Sequence, residues 1–558
     1  MFEKDKSCFF TLYTVDYSIQ GASMSIYKKE RFEIPKGTFR NKQKTKTYIY
    51  QYTGHYRSNE NGKAGHKSKA IGVLDEEKDL LIPNDNYFEL NSLEPRLFAE
   101  DVLSFGYTSL CYHVLTDLGV VKLLKKYFQD DTVYKLLACA IYCIGNETST
   151  MNDIDDWMET AYMPYAGPLI TSQSSSRLFN AVGKDVSAVG NFKKEWAETA
   201  GKDQIICYDV TSLSSYSNLI VSVEYGYNRD HEKLPQLNLG MFCSESTKMP
   251  LTYVCYEGSV PDKTELPYML GLAKSMGLED IKVFMDGGFC DPKCFPQLEK
   301  HTRSFTVGVP GYRELAIELA ASVDKNELTL MENMLSCKGE FGTFTPYELY
   351  GVRGRMLVGF NQQMHTLETQ TLSEKLTRLE KELSGLKRMP KGPKLTRYAK
   401  YFTLSMNEGN ILVWKRNYTA INEETRYAGF FFIFTNDAGM SATDILYYYR
   451  TKDADEKLFY QLKIYLDANR IRVHSDTAVD GKIFMLFIAQ ILRAKLSNDL
   501  RPLLDGHHLP LDKAMKRMAN VRIKTIPEGF RLLKAPTKQQ KEIYATFGHD
   551  LVEDGKNV

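Results

Sequence analysis

The chain is predicted to be a mixed α/β protein in which a mainly helical region precedes a sheet. Between residues 103 and 200, apolar residues recur at spacings of three and four, as they do on one face of a helix. From residue 204 onward, short apolar runs bounded by turn residues indicate buried strands. The 558 residues are 43% apolar and 25% charged, which is ordinary globular usage and excludes a disordered chain, a collagen-like repeat and a disulfide miniprotein.

Basic residues are concentrated near the start, in a predicted β-rich region at 1–100. Between residues 28 and 69, twelve Lys and Arg occur with three Glu. The run Thr-Lys-Thr-Tyr-Ile-Tyr-Gln-Tyr at 45–52 alternates as a strand does, and residues 54–65 have the composition of a turn. This part is therefore predicted to be a basic β-hairpin. Its basic side chains either contact phosphate groups or lie on a strand face that is exposed to solvent. Both interpretations stay open.

Three strands, a helix and a fourth strand follow the helical region. The predicted strands cover residues 204–213, 236–243, 251–256 and 281–285, and the helix covers 264–276. A further buried strand is predicted at 429–435 and a long helix at 443–465. The material at 311–426 interrupts this sheet.

A leucine repeat lies within the interruption. Leu372, Leu376, Leu379, Leu383 and Leu386 are spaced four, three, four and three residues apart, which gives two heptads of apolar seam. A helix packed on its own domain is favoured over a dimer zipper, because stable coiled coils usually need three or more heptads.

Two further basic zones follow on a chain whose formal net charge is only +1. The first has no acidic residue and consists of Lys387, Arg388, Lys391, Lys394, Arg397 and Lys400. Two prolines and a glycine in it predict that no regular helix forms. The second runs from 493 to 541, with twelve Lys and Arg and four Asp and Glu. A neutral chain with basic zones is expected to have focused positive surfaces, which suit a phosphate backbone.

Two aspartates end apolar strands. Asp209 lies near the end of the strand predicted at 204–213, and Asp286 follows the strand Ile-Lys-Val-Phe-Met just before two glycines. A carboxylate there is costly unless it is paired, hydrogen-bonded or bound to a cation. Two such carboxylates in one sheet can converge at a crevice. On the strands alone, however, a structural role for both acids is the commoner explanation.

The long helix predicted at 443–465 carries a polar stripe. Tyr449, Lys452, Glu456 and Lys463 follow one another at steps of three, four and seven residues, so they share one side of a helix. If Glu456 points at the two aspartates, the three acids form an all-oxygen cluster. Such a cluster repels itself unless a divalent metal neutralises it.

These residues resemble the DDE transposases of bacterial insertion sequences, in the branch with a Tyr-(2)-Arg-(3)-Glu-(6)-Lys signature. The matching segments are Tyr-Asp-Val-Thr-Ser at 208–212, Tyr-Gly-Tyr-Asn-Arg-Asp-His-Glu-Lys-Leu-Pro-Gln-Leu-Asn-Leu-Gly at 225–240, Glu-Gly-Ser-Val-Pro-Asp-Lys-Thr at 257–264, Asp-Gly-Gly at 286–288 and the signature helix. Two positions depart from the pattern. Lys452 stands where the signature has Arg, which keeps the charge but loses bidentate phosphate binding. Gly287 and Gly288 stand where relatives often have Arg-Gly.

The resemblance implies an RNase H-like mixed sheet flanked by helices and interrupted by a β-rich insertion domain. The catalytic core would comprise residues 201–310 and 427–495, on either side of an insertion at 311–426. A helical DNA-binding domain would occupy 101–200, and a basic region 496–558.

The resemblance also implies the chemistry. Asp209, Asp286 and Glu456 would be catalytic and would hold two Mg²⁺ ions, for which Mn²⁺ is a possible substitute. One ion would activate water or a 3'-hydroxyl, and the other would stabilise the leaving oxygen. The enzyme would hydrolyse a phosphodiester at the element end and join the resulting 3'-OH to target DNA.

The implied partner is double-stranded DNA, both the terminal inverted repeats of the element and the target, bound by a homodimer on paired ends. The residues predicted to contact DNA are Tyr449, Lys452, Lys463, Lys387, Arg388, Lys391 and Lys394. Two alternatives are a non-catalytic repressor derivative that binds element ends, and an RNase H-like nuclease that cuts without joining. The intact acids argue against the first. The second stays open, because cutting and joining use one site.

No membrane segment and no zinc site are expected. The longest apolar runs, at 429–434 and 483–489, are far shorter than the roughly 20 residues that cross a bilayer, and the start lacks an export signal, so a cytoplasmic location is predicted.

Cys290 and Cys294 with His301 are the one pair of cysteines to consider as metal ligands. Buried thiols are favoured there, because no second Cys/His pair occurs at ligand spacing.

Overall fold

The structure is a computed structural model that describes residues 31–43, 46–57, 64–84, 86–87, 90, 102–164, 167, 169–201, 205–278, 280–311, 314–451, 453–526 and 529–555. The chain divides into two compact units. The first unit comprises Met1–Trp196, Ser212–Leu237 and Leu458–Val558, and the second comprises Ala197–Thr211 and Asn238–Lys457.

The first unit begins with an antiparallel four-stranded sheet. Its strands, in spatial order, are β1 (Thr38–Lys42), β2 (Thr47–Arg57), β3 (Ala64–Asp75) and β4 (Leu80–Pro83). Strands β2 and β3 form the predicted basic hairpin, but β2 continues through Gly54 to Arg57 and β3 begins at Ala64. The predicted turn at 54–65 was therefore too long. Residues 58–63 lie outside the described part.

Helices dominate the rest of this unit, and the predicted helical region is confirmed. The helices before residue 201 are α1 (Gly106–Asp117), α2 (Val120–Tyr127), α3 (Asp130–Asn146), α4 (Ile154–Met158), α5 (Ser172–Lys184) and α6 (Val186–Ala200). The apolar stripe of 110–124 is divided between α1 and α2, because Gly119 adopts a left-handed φ of 77° between them.

A 31-residue helix from the other end of the chain packs against this region. The later helices of the unit are the long helix (Asp476–Gly506), Leu511–Ala519, Lys538–Ala545 and Leu551–Asp554. A strand at Arg522–Ile526 pairs on one side with Gly529–Leu532 and on the other with a short strand at Val102–Ser104. Gly183 on α5 and Gly481 on the long helix lie where the two helices cross. A Cβ at either glycine would collide with the backbone of the opposite helix, so only glycine permits this approach.

The second unit is built on a nine-stranded mixed sheet. Its strands are β5 (Ile205–Ser214), β6 (Gln236–Ser244), β7 (Pro250–Glu257), β8 (Lys282–Met285), β9 (Ser304–Val309), β10 (Met334–Ser336), β11 (Glu340–Leu349), β12 (Val352–Asn361) and β13 (Phe430–Thr435). The spatial order is β10-β11-β12-β13-β9-β8-β5-β6-β7. Strands β5, β8 and β9 are parallel, and β13 runs antiparallel to β9 and β12.

All five strands predicted for this unit are confirmed, but the fully buried strand β9 was missed. Its sequence, Ser-Phe-Thr-Val-Gly-Val, lacks the polar alternation of a half-exposed strand, because a central parallel strand is covered on both faces. The predicted interruption at 311–426 also needs correction. Its strands β10, β11 and β12 extend the same sheet, since β12 pairs with β13 along six residue pairs.

Helices of the second unit cover the sheet and form a separate small core. They are Asp262–Ser275, Phe295–His301, Glu314–Ser322, Lys325–Leu328, Gln362–Ser384, Pro393–Ala399, Tyr418–Arg426, Ala442–Thr451 and Asp453–Tyr460. The predicted leucine helix is Gln362–Ser384, and four of its leucines are buried against a β-hairpin at Phe402–Met406 and Leu412–Arg416. Packing on its own domain, rather than a zipper, is thus confirmed for these leucines.

One backbone prediction was wrong. The basic segment was expected to contain no regular helix, but Pro393–Ala399 is helical. Pro393 is the first residue of that helix, where a backbone N–H is not needed and the fixed φ of proline is favourable.

Among the described residues, no helix has the length and apolar character that a bilayer-spanning segment requires.

Candidate active site

The strand register brings the two predicted aspartates side by side. Parallel strands β5 and β8 pair Tyr208 with Met285, so Asp209 and Asp286 are each the next residue beyond a paired position. Neighbouring strands lie about 4.8 Å apart. The two carboxylates therefore leave adjacent strands at the same level of the sheet.

Alternation along the strands defines which face the aspartates share. Cys207 and Phe284, two residues before Asp209 and Asp286, belong to one buried cluster. Tyr208 and Met285 belong to the large core on the opposite face. Side chains two residues apart point to the same face, so both aspartates lie on the Cys207–Phe284 face. Asp209 is half-buried and Asp286 is exposed.

Short hydrogen bonds orient both carboxylates at the ends of the apolar runs. Oδ1 of Asp209 accepts the N–H of Val210 at 2.8 Å. Oδ1 of Asp286 accepts the N–H of Gly287 and caps a single 3₁₀ turn at Gly287–Phe289. The chain thus leaves the sheet in this turn, directly behind the carboxylate.

A helix covers the same face. Ile445 and Leu446, on the helix Ala442–Thr451, are buried in the cluster that contains Cys207 and Phe284. The hydroxyl of Tyr449 lies directly over Gly308, and a Cβ on that glycine would collide with it. Because β9 pairs Val307 with Met285, Gly308 is at the level of Asp286 on the next strand. Tyr449 is therefore at the edge where the aspartates lie.

The predicted long helix is only partly as expected. It is helical at Ala442–Thr451 and Asp453–Tyr460, and Lys452 lies outside the described residues. Glu456 lies in the second stretch, and its side chain also falls outside the described part. From Gln461 to Tyr465 the chain forms a π-helical turn, so Lys463 does not continue the α-helical stripe. The prediction of one regular helix to residue 465 was wrong at this last turn.

Lys463 lies in the first unit, in an ion pair. Its Nζ is 2.5 Å from Oδ2 of Asp230, and its side chain is 11% exposed. Asp230 belongs to the segment 225–240 that carried part of the family resemblance. In the same segment Glu232 pairs with Arg470 at 2.6 Å and accepts the Ser214 hydroxyl at 2.8 Å. The hydrogen bond from Arg470 outweighs the effect of burial and lowers the pKa of Glu232.

Four basic side chains are displayed on the predicted DNA-binding segment. Lys387, Arg388, Lys391 and Lys394 are exposed, and none has an acidic ion-pair partner among the described residues. The last two basic residues differ, since Arg397 pairs with Glu382 at 3.0 Å and Lys400 with Glu424 at 2.9 Å. The unpaired charge is thus confined to 387–394.

One buried acid was missed by sequence reasoning. Asp437 follows the apolar strand β13, so the rule that selected Asp209 and Asp286 would also have selected it. Its Oδ2 is 2.7 Å from Lys282 Nζ and accepts the Ser304 hydroxyl at 2.9 Å. Burial raises the pKa of Asp437, but the bonds from Lys282, Ser304 and the Gly439 N–H outweigh it and lower the pKa to about 2. Because β13 is antiparallel to β9, Asp437 lies at the opposite edge of the parallel strands.

The two cysteines considered as metal ligands are buried thiols. Cys290 and Cys294 are fully buried in the large core. Burial raises the pKa of Cys294 to about 11. They do not group with His301 as metal ligands in the part of the chain that the structure describes.

Asp209 and Asp286 fit a hard divalent cation. Both donors are carboxylate oxygens, which Mg²⁺ and Mn²⁺ prefer over the nitrogen and sulfur ligands typical of zinc. Two like charges at one level of adjacent strands repel each other, and a divalent cation between them removes that repulsion.

Comparison with family models gives a match over the sheet-forming part of the chain. The family described as Transposase DDE domain matches residues 200–492, more than half of the chain. Among curated proteins, none matches the chain. Among solved structures, the chain is similar to a piggyBac transposase in a synaptic complex with hairpin DNA, determined by cryo-EM. The identity is 10%, the TM-score is 0.30, and the match covers 79% of this chain and 71% of that chain.

Proposed function

The chain belongs to the Transposase DDE domain family, and from this membership we propose a specific activity for it. It is the DNA transposase of a bacterial insertion sequence, which binds element ends, hydrolyses a phosphodiester there and joins the 3'-OH to target DNA with Mg²⁺. The observation that carries the proposal is the register of β5 and β8, which sets Asp209 beside Asp286.

The proposed catalytic core is RNase H-like. In chain order, Asp209 lies on the first strand of the sheet, Asp286 follows the fourth, and Glu456 lies on a helix after the later strands. These are the positions that the family resemblance implies for the three acids. We assign residues 201–310 and 427–495 to this core, 101–200 to recognition of element ends, and 1–100 and 496–558 to basic flanking regions. Within 311–426, the strands at 334–361 belong to the core sheet, and the remainder is the insertion.

Asp209, Asp286 and Glu456 would hold the metal. When bound, Mg²⁺ polarises the scissile phosphate and lowers the pKa of the attacking water or 3'-hydroxyl. The chain's own contribution is to hold two carboxylates at one level of a rigid sheet, so that little reorganisation is needed for binding. Tyr449, packed over Gly308, holds the helix Ala442–Thr451 against the same edge, and Glu456 lies on the next helical stretch.

DNA contact is assigned to exposed positive charge. Lys387, Arg388, Lys391 and Lys394 present unpaired side chains, which gain free energy on DNA because neutralised phosphates release counterions. Lys452 and Tyr449 would contact phosphates near the cleaved end. Lys463, which the family signature also implies as a phosphate contact, is paired with Asp230 in the first unit.

A strand-transfer assay with Mg²⁺ and labelled element ends tests the activity. Joined products support the transposase. Shifted but uncut DNA would instead indicate a non-catalytic repressor derivative, and cut but unjoined DNA a nuclease. Glu456→Gln should abolish chemistry and leave DNA binding largely intact, and turnover near the parent rate would refute the role of Glu456.

Salt dependence tests the basic segment. Neutralising Lys387, Arg388, Lys391 and Lys394 together should lower the slope of log affinity against log salt by about three to four, since each phosphate contact contributes about 0.9. Replacing Arg397, which is paired with Glu382, is the matched control. It should change the slope by less than the contribution of one phosphate contact. A slope unchanged by the fourfold substitution would exclude this segment from the DNA interface.

A further inference from the structure

Three elements of the first unit bring two histidines and an aspartate together, far from the predicted acids in sequence. His113 lies on α1, His549 lies between the helices Lys538–Ala545 and Leu551–Asp554, and Asp554 ends the second of these helices. One ligand atom from each residue lies within 4.8 Å of the other two. No other group of three or more His, Cys, Asp or Glu residues meets this condition in the described part of the chain.

The three side chains lie close together. The imidazole rings of His113 and His549 stack with centroids 4.1 Å apart and an interplanar angle of 25°. Nε2 of His113 is 3.0 Å from Oδ2 of Asp554. Two ligand atoms on one tetrahedral metal, with bonds of about 2.0–2.1 Å, are separated by about 3.3 Å. The His113–Asp554 spacing is therefore close to that of two ligands on a shared ion.

The 3.0 Å contact has the length of a hydrogen bond but not its direction. Oδ2 of Asp554 is buried, and among the described residues no donor is oriented to make a hydrogen bond to it. A buried carboxylate oxygen without a hydrogen bond is costly. A cation between Asp554 and the histidines would remove that cost.

A second carboxylate supports His549 from outside the cluster. Nε2 of His549 is 2.7 Å from Oδ2 of Asp117. If Nε2 carries the proton that bonds Asp117, the lone pair of Nδ1 is the atom left for coordination. Histidine ligands of metals commonly make this kind of carboxylate bond, which fixes the tautomer and strengthens the ligand.

We propose that His113, His549 and Asp554 form a binding site for a divalent transition metal, with zinc as the best match to two imidazoles and one carboxylate. The fourth position of the tetrahedron would be open to water or an external ligand. The ion would fasten the segment 538–555 to α1, so its role is to stabilise the first unit. It is separate from the magnesium chemistry proposed for Asp209 and Asp286.

The test uses the full chain with Asp209→Asn, so that the proposed magnesium site is weakened as a competing site. After chelator treatment, the protein is titrated with Zn²⁺ against a chromophoric competitor, and with Co²⁺ while visible absorption is recorded. We expect one equivalent per chain and the d–d bands of a tetrahedral Co²⁺ site. His549→Ala and Asp554→Asn should each weaken binding at least about tenfold, and Asp117→Asn by about tenfold.

The matched control is His507→Ala, an exposed histidine 3.7 Å from Glu542 in the same region. It should keep the full equivalent. Circular dichroism and metal-free thermal unfolding show that each variant is folded, and Zn²⁺ should raise the melting temperature of the parent but not of His549→Ala. No equivalent at micromolar Zn²⁺, or an equivalent retained in both His549→Ala and Asp554→Asn, would overturn the proposal.

Discussion

The two edges of the parallel strands carry the same kind of residue in opposite settings. At one edge, Asp209, in the middle of β5, and Asp286, directly after β8, stand next to each other, half-buried and exposed. At the other edge, Asp437 is buried against Lys282, which lowers its pKa to about 2 together with Ser304 and the Gly439 N–H. Asp286 and Asp437 follow apolar strands, and Asp209 lies within one, not near its end as predicted. An acid beside a lysine completes a structural pair, whereas two acids side by side have repulsion that a bound cation can relieve.

The largest expected effect is on strand cleavage, which substitutions at the two edges should change by very different amounts. Asp209→Asn and Asp286→Asn should each lower strand cleavage by on the order of 10³-fold or more, because each removes a proposed metal ligand. Asp437→Asn should leave cleavage within about threefold of the parent. Cleavage is measured on labelled element ends in Mg²⁺, with DNA binding as the control readout. Equal losses of cleavage in the variants at the two edges would show that the edges do not differ in function.

The free energy of unfolding should instead depend on Asp437, the acid at the edge opposite the proposed active site. Asp437→Asn should lower the free energy of unfolding by about 2 kcal/mol at pH 7, because a pKa lowered from 3.8 to about 2 is worth about 1.4 kcal/mol per unit. The folded-state pKa lies below the unfolded one, so this contribution is complete above about pH 5 and is lost as pH falls from 4 towards 2.

Urea midpoints of the parent and Asp437→Asn from pH 7 to pH 3 measure this contribution, and their difference should shrink at the acidic end. Asp280→Asn is the matched control, since Asp280 and its partner Arg303 are 62% and 48% exposed at 3.4 Å. An exposed pair of this kind contributes little. A pH-independent difference for Asp437→Asn would show that its charge is not what stabilises the fold.

A smaller effect should come from Gly308, at the carboxyl edge. Gly308→Ala inserts a Cβ where the Tyr449 hydroxyl lies, so the helix carrying Tyr449 must shift. Because small displacements of catalytic groups are costly, cleavage should fall about tenfold, with a stability loss of about 1–3 kcal/mol. Gly190→Ala is the control, because nothing lies within 4 Å of a Cβ there. Unchanged cleavage in Gly308→Ala would place the Tyr449 contact outside the active site.

Much of the core was predictable because its strands are apolar runs bounded by turns. Strands β5 to β8 and β13 follow that rule, and so did the choice of Asp209 and Asp286. The rule could not exclude Asp437, because the direction of β13 depends on pairing with β9, which lies more than 120 residues earlier. Lys282 and Ser304 are likewise brought to Asp437 only by the register of β8 and β9.

Two further features, a π-helical turn and a cluster of two histidines and an aspartate, could not be predicted from local sequence. The π-helical turn at Gln461–Tyr465 has no sequence signal in a spacing rule that assumes 3.6 residues per turn. The cluster of His113, His549 and Asp554 joins residues more than 400 positions apart, so no motif of short spacing could reveal it. Only the fold brings the three residues of this cluster together.

The central claim is that Asp209, Asp286 and Glu456 bind one metal centre. A structure of the chain with element-end DNA and Mn²⁺, in which the ions are located by anomalous scattering, tests it most directly. We expect manganese peaks ligated by Asp209 and Asp286, with Glu456 completing the site. Manganese bound elsewhere, or a Glu456 carboxylate too remote to share an ion with the aspartates, would contradict it.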